Sequence, residues 1–314
     1  MCKFFVVGDV TVDQMYFVSE LPEPGGEVTA LRAVMQPGGA GGTMATTLAR
    51  LGNQVMIATR VGPGPFAELA LKYVRRSGVD TSLVQVDSHF QTSSVTLLVT
   101  PDTQRTMISA AGASRYLDSA ALPREQVASS DALVISAYSL IGGRQREYAV
   151  HALEYAKEAK LTTFIDMGSG AVNALKDRLI SIVREVDYLL MNEHELYTLT
   201  GESSISDAVS GLREQGIDRV IVKVGELGSI VITPELTELI EAYDIDDVVD
   251  STGAGDYYVA AFAHGIMKGY DLLHAARLGN VAGALNTTQV GAQSVDLSSE
   301  VIEKYAEELA SVQS

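Results

Sequence analysis

The 314-residue sequence has no tryptophan, one cysteine and eight prolines. The single cysteine, Cys2, excludes an intrachain disulfide and a Cys-rich zinc site, and it fits a reducing, cytosolic compartment. Basic residues are scarce, with 23 Lys and Arg against 40 Asp and Glu and a formal charge of −17. A field of that sign repels phosphate backbones and anionic lipids, so neither nucleic acid nor a membrane surface is expected as a partner. It still allows a local basic pocket for a phosphorylated ligand. Long apolar runs are missing. Phe4–Val7 leads straight into Gly8 and Asp9, whereas a signal peptide carries an apolar region of roughly 7–15 residues. No run approaches the roughly 18 apolar residues of a membrane span. The histidines (His89, His151, His194, His264 and His274) are dispersed without ligand spacing, so structural or surface roles are expected of them. There is no internal repeat and no low-complexity tract.

What is present is a large apolar fraction, 46%, with 20% charged residues, ordinary for a soluble globular protein. The length allows one large α/β domain or two small ones. Short apolar runs at Phe4–Val7, Leu133–Ile135, Thr163–Ile165, Tyr188–Met191 and Val220–Val224 read as strands. Helical spacing marks 147–159, 174–183, 193–199 and 207–215. Strands alternating with helices predict βαβ units and a mostly parallel, doubly wound sheet flanked by helices. Two stretches break the alternation, at about 15–36 and 92–109. Each has two apolar runs around a turn, Leu21–Gly26 in the first and Pro101–Gln104 in the second. They read as hairpins of a small β-sheet lid, or as extra strands on the main sheet edge.

Several predicted strands end in polar or Gly residues: Gly8-Asp9, Asp166, Asn192 and Gly225. In open α/β sheets ligands bind beyond the carboxyl ends of strands, so these positions are expected to converge.

The most informative segment is Asp250-Ser251-Thr252-Gly253-Ala254-Gly255-Asp256. Val259, Phe262, Ala263 and Ile266 repeat at helical spacing behind it, so a helix starts near Ala254 or Gly255. A small-residue turn at a helix start offers free N–H groups and the positive dipole end to an anion. Asp256 in the first turn is either a favourable helix-terminal charge or a base that accepts a hydroxyl proton. A second glycine segment, Gly38-Gly39-Ala40-Gly41-Gly42-Thr43, precedes a helix expected at 44–51. It is neither a Walker A loop nor a dinucleotide fingerprint, since no Lys-Ser/Thr follows, no strand is expected to run straight into it, and no acid lies about 20 residues on. Asn192 and Glu195, directly after a strand, either hold the water shell of Mg²⁺ or start a polar helix. Lys223-Val224-Gly225-Glu226-Leu227-Gly228 reads as a hairpin turn before Ile230–Ile232. Asp9, Thr11 and Asp13 alternate along extended chain and so share a face; they suit several sugar hydroxyls, or form a solvated loop. Arg105, on the second hairpin, reads as a surface residue or as a contact for an anionic group.

In order and spacing these segments resemble the PfkB, or ribokinase-like, family of carbohydrate kinases over nearly the whole chain. Asp250–Asp256 is similar to its most specific signature. The resemblance implies one α/β domain over 1–314 with a β lid that often forms a dimer interface, and a Mg-ATP-dependent kinase acting on a small hydroxyl-bearing acceptor. Carried over, Asp256 is the base, and Gly253, Ala254 and Gly255 form the anion hole. Asp9, Thr11, Asp13, Gly38, Gly39, Gly42 and Thr43 face the substrate. Asn192 and Glu195 hold phosphate and hydrated Mg²⁺; Lys223, Gly225 and Gly228 line the nucleotide, with Asn280 near the adenine. Asp250, Thr252, Gly291 and Ser294 resemble a monovalent-cation site, with a potassium requirement left open.

This sequence departs from the family where the substrate is expected. Thr43 stands where members usually have Asn. Val61–Phe66 lacks the Asp often found after Val-Gly. Met167-Gly168-Ser169-Gly170 matches no one subfamily, and Tyr257 and Tyr258 replace smaller residues or Phe. An intact catalytic signature beside drifting substrate segments is expected of an active kinase with a different acceptor. The alternatives are a nucleoside kinase of the same fold and, from another class, a non-catalytic small-molecule sensor.

Overall fold

The computed structural model describes residues 1–102 and 105–312; Thr103 and Gln104, in the second expected hairpin turn, lie outside the described residues. In chain order the strands are β1 (Lys3–Val7), β2 (Thr11–Phe17), β3 (Arg32–Gly38), β4 (Gln54–Ala58), β5 (Arg60–Val61), β6 (Gln85–Val86), β7 (Ser94–Val99), β8 (Arg105–Ala110), β9 (Ala132–Ser136), β10 (Thr162–Asp166), β11 (Tyr188–Asn192), β12 (Val220–Lys223), β13 (Ser229–Ile232) and β14 (Thr237–Ile240). The main sheet has the order β14-β13-β12-β11-β10-β9-β1-β4. It is parallel from β4 to β12, and β13 and β14 add an antiparallel edge.

The parallel strands are apolar almost without break because both faces are covered. Side chains alternate between two cores. Phe5, Val7, Leu133, Ile135 and Ile165 join one, with the helix Gly143–Ala159 and its neighbours 169–175, 193–200 and 205–214. Phe4, Val6, Val134, Phe164 and Leu190 join the other, against the helices Ala40–Arg50, Ala254–Met267 and Leu272–Asn286. At roughly 1.5–3 kcal/mol per fully buried large aliphatic or Phe side chain, this two-sided burial is the main favourable contribution to folding.

The expected lid is a separate four-stranded sheet of order β3-β2-β7-β8. Each expected hairpin is an antiparallel pair, β2 with β3 and β7 with β8, and a parallel β2–β7 pairing joins them. They are therefore not extra strands on the main sheet. The first begins at Thr11 rather than near residue 15, so the chain leaves the main sheet at Gly8-Asp9-Val10 and enters the small one at once.

Three local expectations change. The helix expected at 174–183 is two helices, Ser169–Leu175 and Asp177–Val183, divided at Lys176, whose φ of 44° no helix accommodates. The helix after the glycine segment starts at Ala40, not Met44. A strand, β3, does run straight into that segment, but it belongs to the small sheet. Gly41 sits in the first helical turn because a methyl there would stand 2.5 Å from the Gly8 Cα. That close approach brings the helix N-terminus against the end of β1.

Candidate active site

Five adjacent parallel strands deliver side chains to one edge. Asp9 follows β1, Tyr138 follows β9, Asp166 ends β10, Asn192 ends β11 and Lys223 ends β12. The chain reverses its direction of strand addition between β1 and β9, the kind of crevice in which α/β sheets bind ligands.

The glycine segment holds the Asp9 end. Gly39, at φ 88°, makes the turn, and the Gly42 N–H donates to the Asp9 carbonyl at 3.0 Å. The Asp9 carboxyl lies beside the Gly41 N–H, and its Oδ1 is buried without a hydrogen-bond partner. Burial, the largest cause, raises its pKa. Thr11 Oγ1 donates to Asp13 Oδ1 at 2.6 Å, so these two do share a face. Asp13 is 7% exposed. Gly38 lies against its carboxylate, where a Cβ would collide with it. Burial first, then the charges of Asp9 and Asp250, push the Asp13 pKa up to about 6 against the Thr11 hydrogen bond. Thr43 differs from expectation. It is fully buried, and its hydroxyl donates to the Gly39 carbonyl at 3.0 Å, so its proton serves its own helix. Gly42 faces Val10 and the Gln293 side chain.

Opposite stands the turn before the helix Ala254–Met267. Gly253, at φ 82°, packs against Ala292 and closes the turn. Ala254 N–H bonds Ser251 O at 3.3 Å and Tyr257 N–H bonds Gly253 O at 3.0 Å. Among the described residues, no protein acceptor faces the N–H groups of Gly255 or Asp256. Half-buried Asp256 therefore sits beside two free donors at a positive helix end. Burial, then the negative charge of Asp166, and further Asp9 and Asp13, raise its pKa well above the usual carboxylate range, while Lys223 opposes them. Tyr257 and Tyr258 anchor the helix. Tyr257 Oη donates to Val295 O at 2.7 Å and accepts from Arg50 Nη1 at 3.0 Å; Tyr258 Oη bonds Ser229 Oγ at 2.8 Å.

Lys223 links the two halves. Its ammonium donates to Asp166 Oδ1 at 2.6 Å, and a Cβ on Gly255 would lie 3.2 Å from Nζ. The charge thus lies at the Gly253–Asp256 turn. Burial works to lower its pKa, but Asp166, Glu195 and Asp256 outweigh burial and raise it. Asn192 and Glu195 form a reciprocal cap. Asn192 Oδ1 accepts the Glu195 N–H at 2.8 Å and Glu195 Oε2 accepts the Asn192 N–H at 3.0 Å. Glu195 Oε1 accepts from Ser169 Oγ at 3.1 Å. The polar helix start is thus realised, and it holds a second buried carboxylate beside Lys223, raised first by burial. Gly228 approaches the Ile240 carbonyl where a side chain would not fit, while Gly225 opens on free space. Asn280 Nδ2 donates to Ile240 O and Glu241 O at 2.9 and 3.0 Å, pinning the loop after β14.

Asp250 Oδ1 accepts Thr252 N–H and Oγ1–H at 3.0 and 2.7 Å, and Oδ2 accepts Gly291 N–H at 2.9 Å. Ser294 Oγ donates to Val290 O at 2.7 Å.

Sequence reasoning missed Tyr138 as a site residue. Its ring covers Gly168 and Gly170, where a Cβ would meet it, and it feels the charges of Asp9, Glu195 and Asp166. Burial is the main reason that its pKa is pushed up to about 12. Its signal was available: it follows a strand end directly, as Asp9 does. Asp166 was noted only as a strand end. Gln293, whose Nε2 donates to Gly38 O at 3.0 Å, ties the two glycine-bearing turns together.

The pfkB family carbohydrate kinase profile matches residues 1–299. The chain belongs to this family. A deoxyribokinase of Salmonella typhi is 25% identical over 305 residues, 96% of this chain and 97% of its own. A ribokinase of Staphylococcus aureus is 27% identical over 311 residues, 95% and 98% respectively. The structure of Arabidopsis thaliana ribokinase complexed with ribose and ATP has the same fold, with a TM-score of 0.84 at 23% identity, covering 98% of this chain and 99% of that one. The protein is thus a carbohydrate kinase, a phosphotransferase with a hydroxyl acceptor. Among the described residues no helix is long and apolar enough to cross a membrane.

The raised Asp13 pKa has a stability consequence for this kinase. The folded state holds a proton on Asp13 up to about pH 6, the unfolded chain only to 3.8. Proton binding then favours the folded state between these values, so stability falls as pH rises from about 4 to about 6, by on the order of 3 kcal/mol from this residue. Asp13→Asn is expected to flatten that part of the slope and raise the ligand-free melting midpoint at pH 7. Thermal unfolding from pH 4 to 8 checks it; an unchanged slope counts against the buried charge.

Proposed function

We propose that Asp256 is the base for transfer of the γ-phosphoryl group of ATP to a hydroxyl of a sugar or sugar derivative. The observation that carries this reading is Asp256 itself: a carboxylate with a raised pKa, in the first helical turn, next to two unoccupied N–H donors. Asp256 takes the hydroxyl proton as the acceptor oxygen bonds the γ-phosphorus and the bond to the ADP oxygen breaks. The free amides of Gly255 and Asp256 and the helix dipole stabilise the charge spread over the transferring group, and the Lys223 ammonium adds to that field. A raised pKa makes Asp256 a stronger base near neutral pH.

Among the described residues, no group of three or more His, Cys, Asp and Glu stands ready to ligate a metal directly. Glu195 and Asp166 supply hard oxygen acceptors at the phosphate end, which suit a hydrated Mg²⁺ held through water. When bound, that ion supplies further neutralisation of the phosphates. Gly225, Gly228 and the loop that Asn280 pins border the nucleotide in this reading, with Asn280 acting through the loop.

The acceptor end favours a polyhydroxylated ligand. Asp9 Oδ1 is buried without a donor, and beside it Asp13 has one oxygen held by Thr11, so the pair keeps acceptor oxygens for hydroxyl donors. The small sheet offers the dimer contact. β8 is exposed along its length, with Met107 63% and Ile108 64% exposed on opposite faces. An open apolar edge strand is a template for pairing with a second copy.

Two experiments test these readings. ADP release from Mg-ATP across pentoses, hexoses, sugar acids, polyols and nucleosides is expected to single out one sugar class. Asp256→Asn is expected to lower kcat at least about 10²-fold while ligands still raise the melting midpoint; near-full activity in that variant removes Asp256 from the base role, and preference for a nucleoside reassigns the acceptor. Light scattering is expected to show a dimer that Met107→Lys with Ile108→Lys dissociates; a wild-type monomer rules out the β8 contact.

A further inference from the structure

The segment that leads into the catalytic turn is held from far away in sequence. Arg105, the first residue of β8, donates from Nη1 to Thr252 Oγ1 and from Nη2 to Ser251 Oγ, each at 2.7 Å. Nη1 also stands 3.5 Å from Asp250 Oδ1; the side chains of Arg105 and Asp250 are 32% and 7% exposed. Three contacts from one guanidinium at a mostly buried acid are not the pattern of a solvated surface arginine. A guanidinium keeps its charge at all relevant pH values and presents its donors as a rigid fork.

Of the oxygens expected to ligate a monovalent cation here, those of Asp250 and the Thr252 carbonyl already have donors. Asp250 receives the donors described above, and the Thr252 carbonyl accepts Asn286 Nδ2 at 2.8 Å. A cation needs oxygen lone pairs turned toward it, and here donors take up lone pairs of Asp250 and Thr252 while the Arg105 guanidinium, 3.5 Å from Asp250 Oδ1, already brings a positive charge. In this arrangement the residues do not fit a potassium ion.

We propose that Arg105 is a positioning residue that brings to Asp250, from the small sheet, the positive charge a monovalent cation would otherwise supply. It fixes Asp250-Ser251-Thr252 and so sets the direction of the Gly253–Asp256 turn, and phosphoryl transfer then needs no added monovalent cation. Without the guanidinium, Asp250 is a nearly buried carboxylate with no counter-charge, a costly state that a small cation relieves. The inference rests on the kinase reading above, deepening it at one end of the catalytic turn.

The test compares wild type, Arg105→Ala and Arg105→Lys in potassium, sodium and tetramethylammonium chloride at one ionic strength. Two readouts are taken: Mg-ATP-dependent phosphorylation of the best acceptor, and the melting midpoint without ligands. For wild type, kcat is expected to agree within about twofold across the salts, with no potassium-specific rise in midpoint. Arg105→Ala is expected to lose roughly tenfold in kcat in tetramethylammonium, and to regain most of it in potassium together with a potassium-specific rise in midpoint. Arg105→Lys, which keeps the charge without the fork, is expected to fall between the two. Potassium activation of wild type by more than about fivefold overturns the proposal, as does an unchanged Arg105→Ala or a loss that no cation restores. If no acceptor is phosphorylated, the kinase reading fails, and the salt dependence of the midpoints still decides the claim about Arg105.

Discussion

The constraint on which the site depends is the crowding of like charge. Asp9, Asp13, Asp166, Glu195 and Asp256 gather at the carboxyl edge of one sheet, and Lys223 is the buried ammonium among them. Each carboxyl is raised by burial, and several are raised further by one another. Such a cluster costs stability and is retained where its charges have work to do. Its two ends differ. The Asp9–Asp13 end keeps an unpartnered buried oxygen, Asp9 Oδ1, and suits hydroxyls. The Asp256 end has free amides and an ammonium, and suits an anion. In the proposed reading, a hydroxyl held at one end and a phosphoryl group at the other meet at Asp256.

The fold makes this crowding possible while the strands keep their own backbone groups paired. Parallel strands hydrogen-bond one another and end together, so side chains far apart in sequence reach one edge. Two glycine-bearing turns then face each other across it, joined by Gln293 and Gly38. Close backbone approach, at Gly8 against Gly41 and at Gly253 against Ala292, sets the spacing. The small sheet adds Asp13 from β2 and Arg105 from β8, so it is part of the site as well as its cover.

How much was legible in the sequence follows from the kind of interaction. The parallel sheet could be read because doubly buried strands are continuously apolar. The Gly253–Asp256 turn could be read because a small-residue helix start has a direct physical meaning. Thr11 and Asp13 could be read from strand alternation, whereas Asp9 lies in the link between β1 and β2. What escaped depends on contacts between distant segments. The parallel β2–β7 pairing leaves no local trace. Arg105 looks like any surface arginine until Ser251 and Thr252 lie beside it. Thr43 has the chemistry of a ligand contact, yet burial turns its hydroxyl to Gly39. Lys176 breaks a helix that its neighbours' periodicity favours.

In the proposed mechanism Asp256 is a base whose affinity for protons is set by its neighbours, with Lys223 holding it down. The most direct measurement is the pH dependence of kcat for wild type and Lys223→Gln. Activity should fall as pH drops through the raised pKa of Asp256. Removing the positive charge should lift that pKa and carry the acid limb to higher pH by at least about half a unit. An acid limb that stays in place in a folded, active Lys223→Gln variant would contradict the coupling of Lys223 to Asp256 on which this reading of the site stands.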